Sequence, residues 1–243
     1  MPRICILLFY CLFTAGISGC GPKNLPQTPV DSKQIQSTDL HLTATGSAPA
    51  DGVTPNQLTF SGGPSVTASY DSVILSISPV GLFSNGAAQI NAPLDVTGAV
   101  TVYVTSRTPS IATVVATVGG VTAQTSTTFV MAWPSQILIQ SDSAFLDSLA
   151  GDWAPVTATL LRVPGEVNSG ETVTFTDSSA VYETIPAGTS VGTFVNTTAS
   201  DTSGLVTTQY WLQNTAYHGY VYIIGTVSTP AGPVTGRGLI KIR

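Results

Sequence analysis

The sequence predicts an all-β chain of two tandem β-sandwiches, and three observations carry that expectation. Charged residues make up 9% of the 243, against roughly a quarter in a typical soluble domain, and 35 threonines take much of their place. Threonine is β-branched, so it suits a pleated strand, and its hydroxyl keeps a solvent face wet without charge. Helix-favouring residues are scarce, with three lysines and three glutamates, Glu166, Glu171 and Glu183. Short alternating apolar runs bounded by turn residues recur at the spacing of sandwich strands. The halves of the chain also resemble each other, and self-similarity points to tandem domains more strongly than length does.

The N-terminal stretch is set apart from this pattern. Arg3 supplies a positive charge, and Ile4 to Phe13 is an uninterrupted apolar run. About ten residues is half the roughly 20 that span a bilayer, so the run reads as the core of a secretion signal. Ile17-Ser18-Gly19-Cys20 then resembles the lipobox of bacterial prolipoproteins, with isoleucine where leucine is commoner. The resemblance implies a signal peptide over residues 1–19 and acyl chains such as palmitate on Cys20, its sulfur and its new amine. Each buried methylene contributes about 0.8 kcal/mol, so two or three chains anchor stably where one does not. The competing reading is an ordinary secretory signal that happens to end in cysteine. Gly21 in place of aspartate resembles the default signal for outer-membrane sorting in enteric-type bacteria. Residues 20–37 carry Pro22, Pro26 and Pro29 without apolar periodicity. They are expected to be an extended tether of roughly 3.1 Å per residue, holding the folded part about 50 Å from the lipid. No cysteine follows Cys20, which excludes a disulfide or thiolate metal site in the body.

Residues 38–131 carry expected strands at 39–45, 73–78, 99–104, 111–118 and 125–130. Residues 132–243 answer with 136–140, 156–163, 172–175, 205–212, 219–227 and 239–242. Val80-Gly81-Leu82-Phe83 matches Val191-Gly192-Thr193-Phe194, and Asp95-Val-Thr-Gly98 matches Asp201-Thr-Ser-Gly204. Ala112 to Val118 matches Val221 to Val227. Ala50-Asp51-Gly52-Val53, Gly98-Ala-Val-Thr-Val and Ala112 to Gly120 resemble the bacterial immunoglobulin-like (Big-1) repeats of the intimin and invasin type. The second repeat is a looser copy, with Ala150-Gly151-Asp152 where Ala-Asp-Gly would stand. The resemblance covers roughly 37–243 and implies immunoglobulin-like sandwiches acting as rigid spacers or adhesive modules. The lectin-like cap that binds receptors in invasin-like proteins has no counterpart in this sequence. Met131-Ala132-Trp133-Pro134 is too short for a flexible linker, so Trp133 is expected to pack at a junction between two sandwiches stacked end to end as a fairly rigid rod.

Chemistry is hard to find. No Gly-x-Ser-x-Gly elbow follows Cys20, and no glycine-rich phosphate loop opens a helix. His41 and His218 have no motif partner to make either a base or a metal ligand. Asp142, Asp147 and Asp152 could suggest calcium, but their spacing fits no compact loop. Solvated loop carboxylates are expected there instead. Glu166 and Glu171 could be an acid/base pair, but they flank a Gly/Asn/Ser turn where exposed carboxylates are ordinary. No catalytic residue, cofactor or metal site is expected, and the chain reads as a non-enzyme.

A net charge of −5 without basic patches argues against nucleic acid. It argues equally against electrostatic docking on an acidic membrane, which leaves the lipid on Cys20 as the expected membrane contact. The suggestive surface feature is aromatic. Alignment puts Val114, Ala116, Val221 and Ile223 toward the core. Tyr220 and Tyr222 then point outward where the first repeat has Ile111 and Thr113, and Trp211 faces out from the strand before. Tyrosine and tryptophan are common interface anchors, making Trp211, Tyr220 and Tyr222 candidate protein-binding residues. Against this, tyrosine often covers a sandwich face with its hydroxyl wet, and Trp211 need not share a sheet with the tyrosines.

The expected function is a lipid-anchored, non-enzymatic structural or adhesive module at the bacterial outer membrane, facing the cell surface. Its partner would be an unidentified protein or a surface glycan. The alternative is a periplasmic accessory subunit of a secretion or pilus assembly.

Overall fold

The computed structural model describes residues 34–141, 145–147, 151–195 and 199–243. The expected signal, Cys20 and most of the tether lie outside them. The described residues form two β-sandwiches with separate cores.

The first sandwich runs β1 (Leu40–Ala44), β2 (Ser47–Pro49), β3 (Asn56–Gly62), β4 (Ser72–Ser78), β5 (Leu82–Phe83), β6 (Gln89–Pro93), β7 (Ala99–Thr105), β8 (Ser110–Val118) and β9 (Val121–Val130). Its sheets are ordered β1-β3-β7-β5 and β2-β9-β8-β4-β6. The second runs β10 (Gln136–Ser141), β11 (Phe145–Leu146), β12 (Trp153–Leu161), β13 (Thr174–Ser179), β14 (Gly192–Val195), β15 (Leu205–Leu212), β16 (Gly219–Thr229) and β17 (Gly232–Ile242). Its sheets are β10-β12-β15-β14 and β11-β17-β16-β13. In both, the short second strand lies parallel to the last, and the division of strands between sheets is that of an immunoglobulin-like sandwich.

Alternation explains the layers. Ala112, Val114, Ala116 and Val118 of β8 are buried while Ile111 is 65% exposed. Val221, Ile223 and Val227 repeat the pattern on β16. A fully buried valine or isoleucine contributes roughly 1.5–3 kcal/mol, so a one-residue slip would turn this whole row to water. Several expected strands shift: β9 and β17 begin at Val121 and Gly232, ahead of the expected 125 and 239, and two others move for identifiable reasons. Strand β12 stops at Leu161, before 163, because Arg162 leaves the sheet to reach Asp51. Strand β13 starts at Thr174, after 172, because its ladder with β16 begins there.

The internal repeat is structural. Asp95 Oδ1 accepts bonds from Thr97 N and Ala99 N; Asp201 Oδ1 accepts them from Ser203 N and Leu205 N. Gly98 and Gly204 close these two turns at φ +77° and +74°, a conformation that glycine adopts without a Cβ penalty. The hydroxyl of Thr97 and the backbone N–H groups hold Asp95 below the usual carboxylate pKa, and backbone N–H groups do the same for Asp201.

Polar side chains lock the two sandwiches together. Asn168 Nδ2 donates to Ala50 O at 2.9 Å and Arg107 O at 2.8 Å, while its Oδ1 accepts from Ala132 N at 2.6 Å. Arg162 Nε meets the buried Asp51 carboxylate at 3.2 Å, and its Nη1 donates to Trp133 O at 2.9 Å. Burial pushes Asp51 up, but bonds from Thr54, Val53 and Arg162 outweigh it and hold the carboxyl below its ordinary pKa. Gly165, at φ +89°, lies so close that a Cβ would stand 2.7 Å from Asp51 O. Arg107 and Glu166 add an exposed ion pair at 2.9 Å, worth little in water. Trp133 is partly buried against the second core.

Candidate binding surfaces on the second sandwich

Strand β16 sets out the tyrosines. With Val221 and Ile223 in the core, period-two alternation turns Tyr220 and Tyr222 to solvent, 46% and 42% exposed. The start of the strand is pinned by Tyr217, a fully buried side chain whose single phenol hydrogen is shared between Tyr220 O at 2.6 Å and Ala180 O at 3.2 Å. Burial pushes that phenol's pKa up, so it is a donor at every physiological pH. In register on β17, Lys241 lies opposite Tyr220 and Leu239 opposite Tyr222. The Lys241 ammonium stands 5.7 Å from the Tyr220 ring centroid, within cation–π range. Leu239 is 51% exposed.

Trp211 lies on β15, in the other sheet. It stands opposite Trp153 in register, with ring centroids 6.2 Å apart and planes 26° from parallel. Trp153 is the more exposed of the two, and Trp211 Nε1 is buried without a hydrogen-bond partner among the described residues. Trp211 thus belongs to a stacked pair on the opposite outer face of the sandwich from the tyrosines, the two sheets themselves lying roughly 10 Å apart. In the sequence only its place as an aromatic at the start of an alternating run marks Trp153.

The remaining sequence candidates disperse. His41 is exposed on β1, and His218 packs edge-on against Tyr182 at 5.7 Å. Asp142 lies outside the described residues, while the Asp152 carboxylate accepts from Asp147 N and Trp153 N. Glu171 departs from expectation. It is 4% exposed, its Oε1 has no hydrogen-bond partner among the described residues, and burial raises its pKa. Residues 167–171 look like a solvated turn, but Val167 and Asn168 are drawn into the junction, and Glu171 is covered with them.

This makes a test of stability against pH. Because its folded pKa is raised, Glu171 binds its proton more tightly in the native state. Stability therefore falls as pH rises from the unfolded value, about 4.3, through the folded one. Glu171→Gln is expected to gain about 1 kcal/mol over wild type at pH 8 and to lose that gain near pH 4. Thermal melts at both pH values check it, and an advantage equal at both would contradict the buried-charge explanation.

No protein-family model matches the chain, and no curated protein shows significant similarity to it. Solved structures do match. Invasin, a bacterial integrin-binding protein, is 15% identical with a TM-score of 0.57, over 84% of this chain and 39% of its own. The Yersinia pseudotuberculosis adhesin InvE is 15% identical with a TM-score of 0.51, over 86% of this chain and 60% of its own. The chain thus corresponds to only part of each. At such identity the likeness is one of fold: two immunoglobulin-like β-sandwiches in tandem, similar to those of invasin and InvE.

Proposed function

We propose that the chain is a lipid-anchored, non-enzymatic envelope module, a structural or adhesive spacer at the bacterial outer-membrane surface. Its repeats would divide near residues 131 and 132. The observation that carries the reading is the junction: the hydrogen bonds of the buried Asn168 and the bond that Arg162 donates to the buried Asp51 tie one sandwich to the next. A spacer needs that stiffness, whereas two independent domains would not. The lipobox-like Cys20 and a fold similar to that of invasin and InvE support it.

Cys20→Ala is expected to move the protein from the membrane fraction to unprocessed precursor or a soluble form, with loss of acyl label at that residue. Unchanged membrane attachment would remove the anchor. Protease added to intact cells should digest the wild-type body; complete protection would favour the periplasmic subunit.

A further inference from the structure

The internal repeat supplies a control for the tyrosine face. Strands β8 and β9 of the first sandwich and β16 and β17 of the second occupy the same places in the same fold. On the first strand of each pair, Ile111 and Thr113 are replaced by Tyr220 and Tyr222. On the second, Gln124, Ser126 and Thr128 are replaced by Arg237, Leu239 and Lys241. Five uncharged, non-aromatic positions thus become two phenols, two cations and a leucine, while beneath them the buried Ala112 and Val114 become Val221 and Ile223, and Thr127 and Phe129 become Ile240 and Ile242.

Charge is concentrated there as well. The described residues hold five lysines and arginines. Arg107 and Arg162 are in the junction ion pairs; Arg237, Lys241 and Arg243 fall on β17 or just after it. The outward positions of β13, β16 and β17 carry no carboxylate, and β13 adds only the hydroxyls of Thr174, Thr176 and Ser178; the exposed Asp147 follows β11 at the edge of the sheet, beside the end of β17. In a chain of net charge −5, β17 and its end thus gather three of the five cations of the described residues beside two exposed tyrosines.

We propose that this face binds an acidic polysaccharide, a polymer bearing uronate carboxylates. The inference rests on the adhesive reading above and names its ligand class. Sugar rings present C–H faces that pack on exposed phenols, and carboxylates accept charge-assisted bonds from guanidinium and ammonium. Short hydroxyls on β13 can exchange hydrogen bonds with sugar hydroxyls. A stable protein partner would cover about 800 Å² here around a desolvated apolar centre, and three half-exposed side chains among threonines do not provide one. A second copy face to face would set cation against cation. A polymer instead adds many weak contacts along its length.

The probe is polygalacturonate, set against neutral dextran and against phosphatidylglycerol vesicles, with the full chain in detergent. Affinity electrophoresis should show retention by polygalacturonate, absent with dextran and weakened as salt rises from about 50 to about 500 mM. Arg237→Gln/Lys241→Gln and, separately, Tyr222→Ala should each weaken retention about tenfold, with melting unchanged. Thr113→Ala on the first repeat should change nothing. Equal retention of the wild type and both variants, no retention at low salt, or binding to the vesicles alone would each overturn the inference. If Cys20 is acylated and the body is protease-accessible but polygalacturonate is ignored, the ligand class fails while the envelope reading stands.

Discussion

Asn168→Ala is expected to uncouple the two sandwiches and to cost about 3 kcal/mol. The side chain serves three backbone groups at once: the carbonyls of Ala50 and Arg107 in the first sandwich and the N–H of Ala132 in the connection. Ala50 and Ala132 are buried, so water cannot replace what the amide supplied. Each unpaired buried group costs about 1 kcal/mol or more. For a chain of this size the loss corresponds to roughly 10 °C in melting temperature. The more telling readout is the shape of the transition. Calorimetry should show one cooperative unfolding event in the wild type and two in the variant, since the Asp51–Arg162 pair would remain as the main buried polar tie. A variant that still melts as one unit near the wild-type temperature would mean that apolar packing around Trp133 joins the sandwiches, and that the spacer argument has the wrong cause.

The layers of this fold were legible because alternation is a local signal. Strand β15 matches its expected limits, and the buried rows of β8 and β16 fall where period two puts them. Strand β3 was missed for an identifiable reason. Its first inward residue is Asn56, buried by hydrogen bonds to Gly46 O and the Thr127 hydroxyl, so a core position carries a polar residue and breaks the pattern. The short β5 and β14 are placed by pairing with β7 and β15 and, for β14, by the Asp177 carboxylate that accepts from Gly192 N, long-range causes that a local window cannot contain. The outward tyrosines were readable from alignment of the repeats. The cations beside them were not, because their neighbourhood depends on the β16–β17 register. In the sequence Asp51 stands out only as part of a family signature. Its meeting with Arg162, 111 positions away, is a tertiary fact, and so is the burial of Glu171.

Asp177→Ala should be comparably damaging, by a different route. Strands β13 and β14 are the outer strands of the second sandwich's two sheets, and Asp177 clasps them. Its carboxylate accepts from Val191 N at 2.8 Å, Gly192 N at 2.9 Å, the Ser190 hydroxyl and the phenol of Tyr210 at 2.9 Å. Tyr210 is fully buried; burial first, and then the Asp177 charge, keep its phenol protonated. Hydrogen bonds to an ionised group contribute about 1.5–3 kcal/mol each where water is excluded. The Ser190 hydroxyl can turn to water, so a loss of about 3 kcal/mol is expected. Tyr210→Phe leaves the carboxylate with its other three donors and should cost only about 1 kcal/mol. Urea midpoints of the two variants test that inequality. Equal losses would mean that the phenol contact alone matters and that the backbone donors bond equally well to solvent. The clasp has a second consequence: without it two strand edges can separate, and unpaired edges recruit other chains. Asp177→Ala should therefore scatter light on prolonged incubation below its melting temperature while Tyr210→Phe stays clear, a difference that global stability alone would not produce once the two are compared at equal fraction folded.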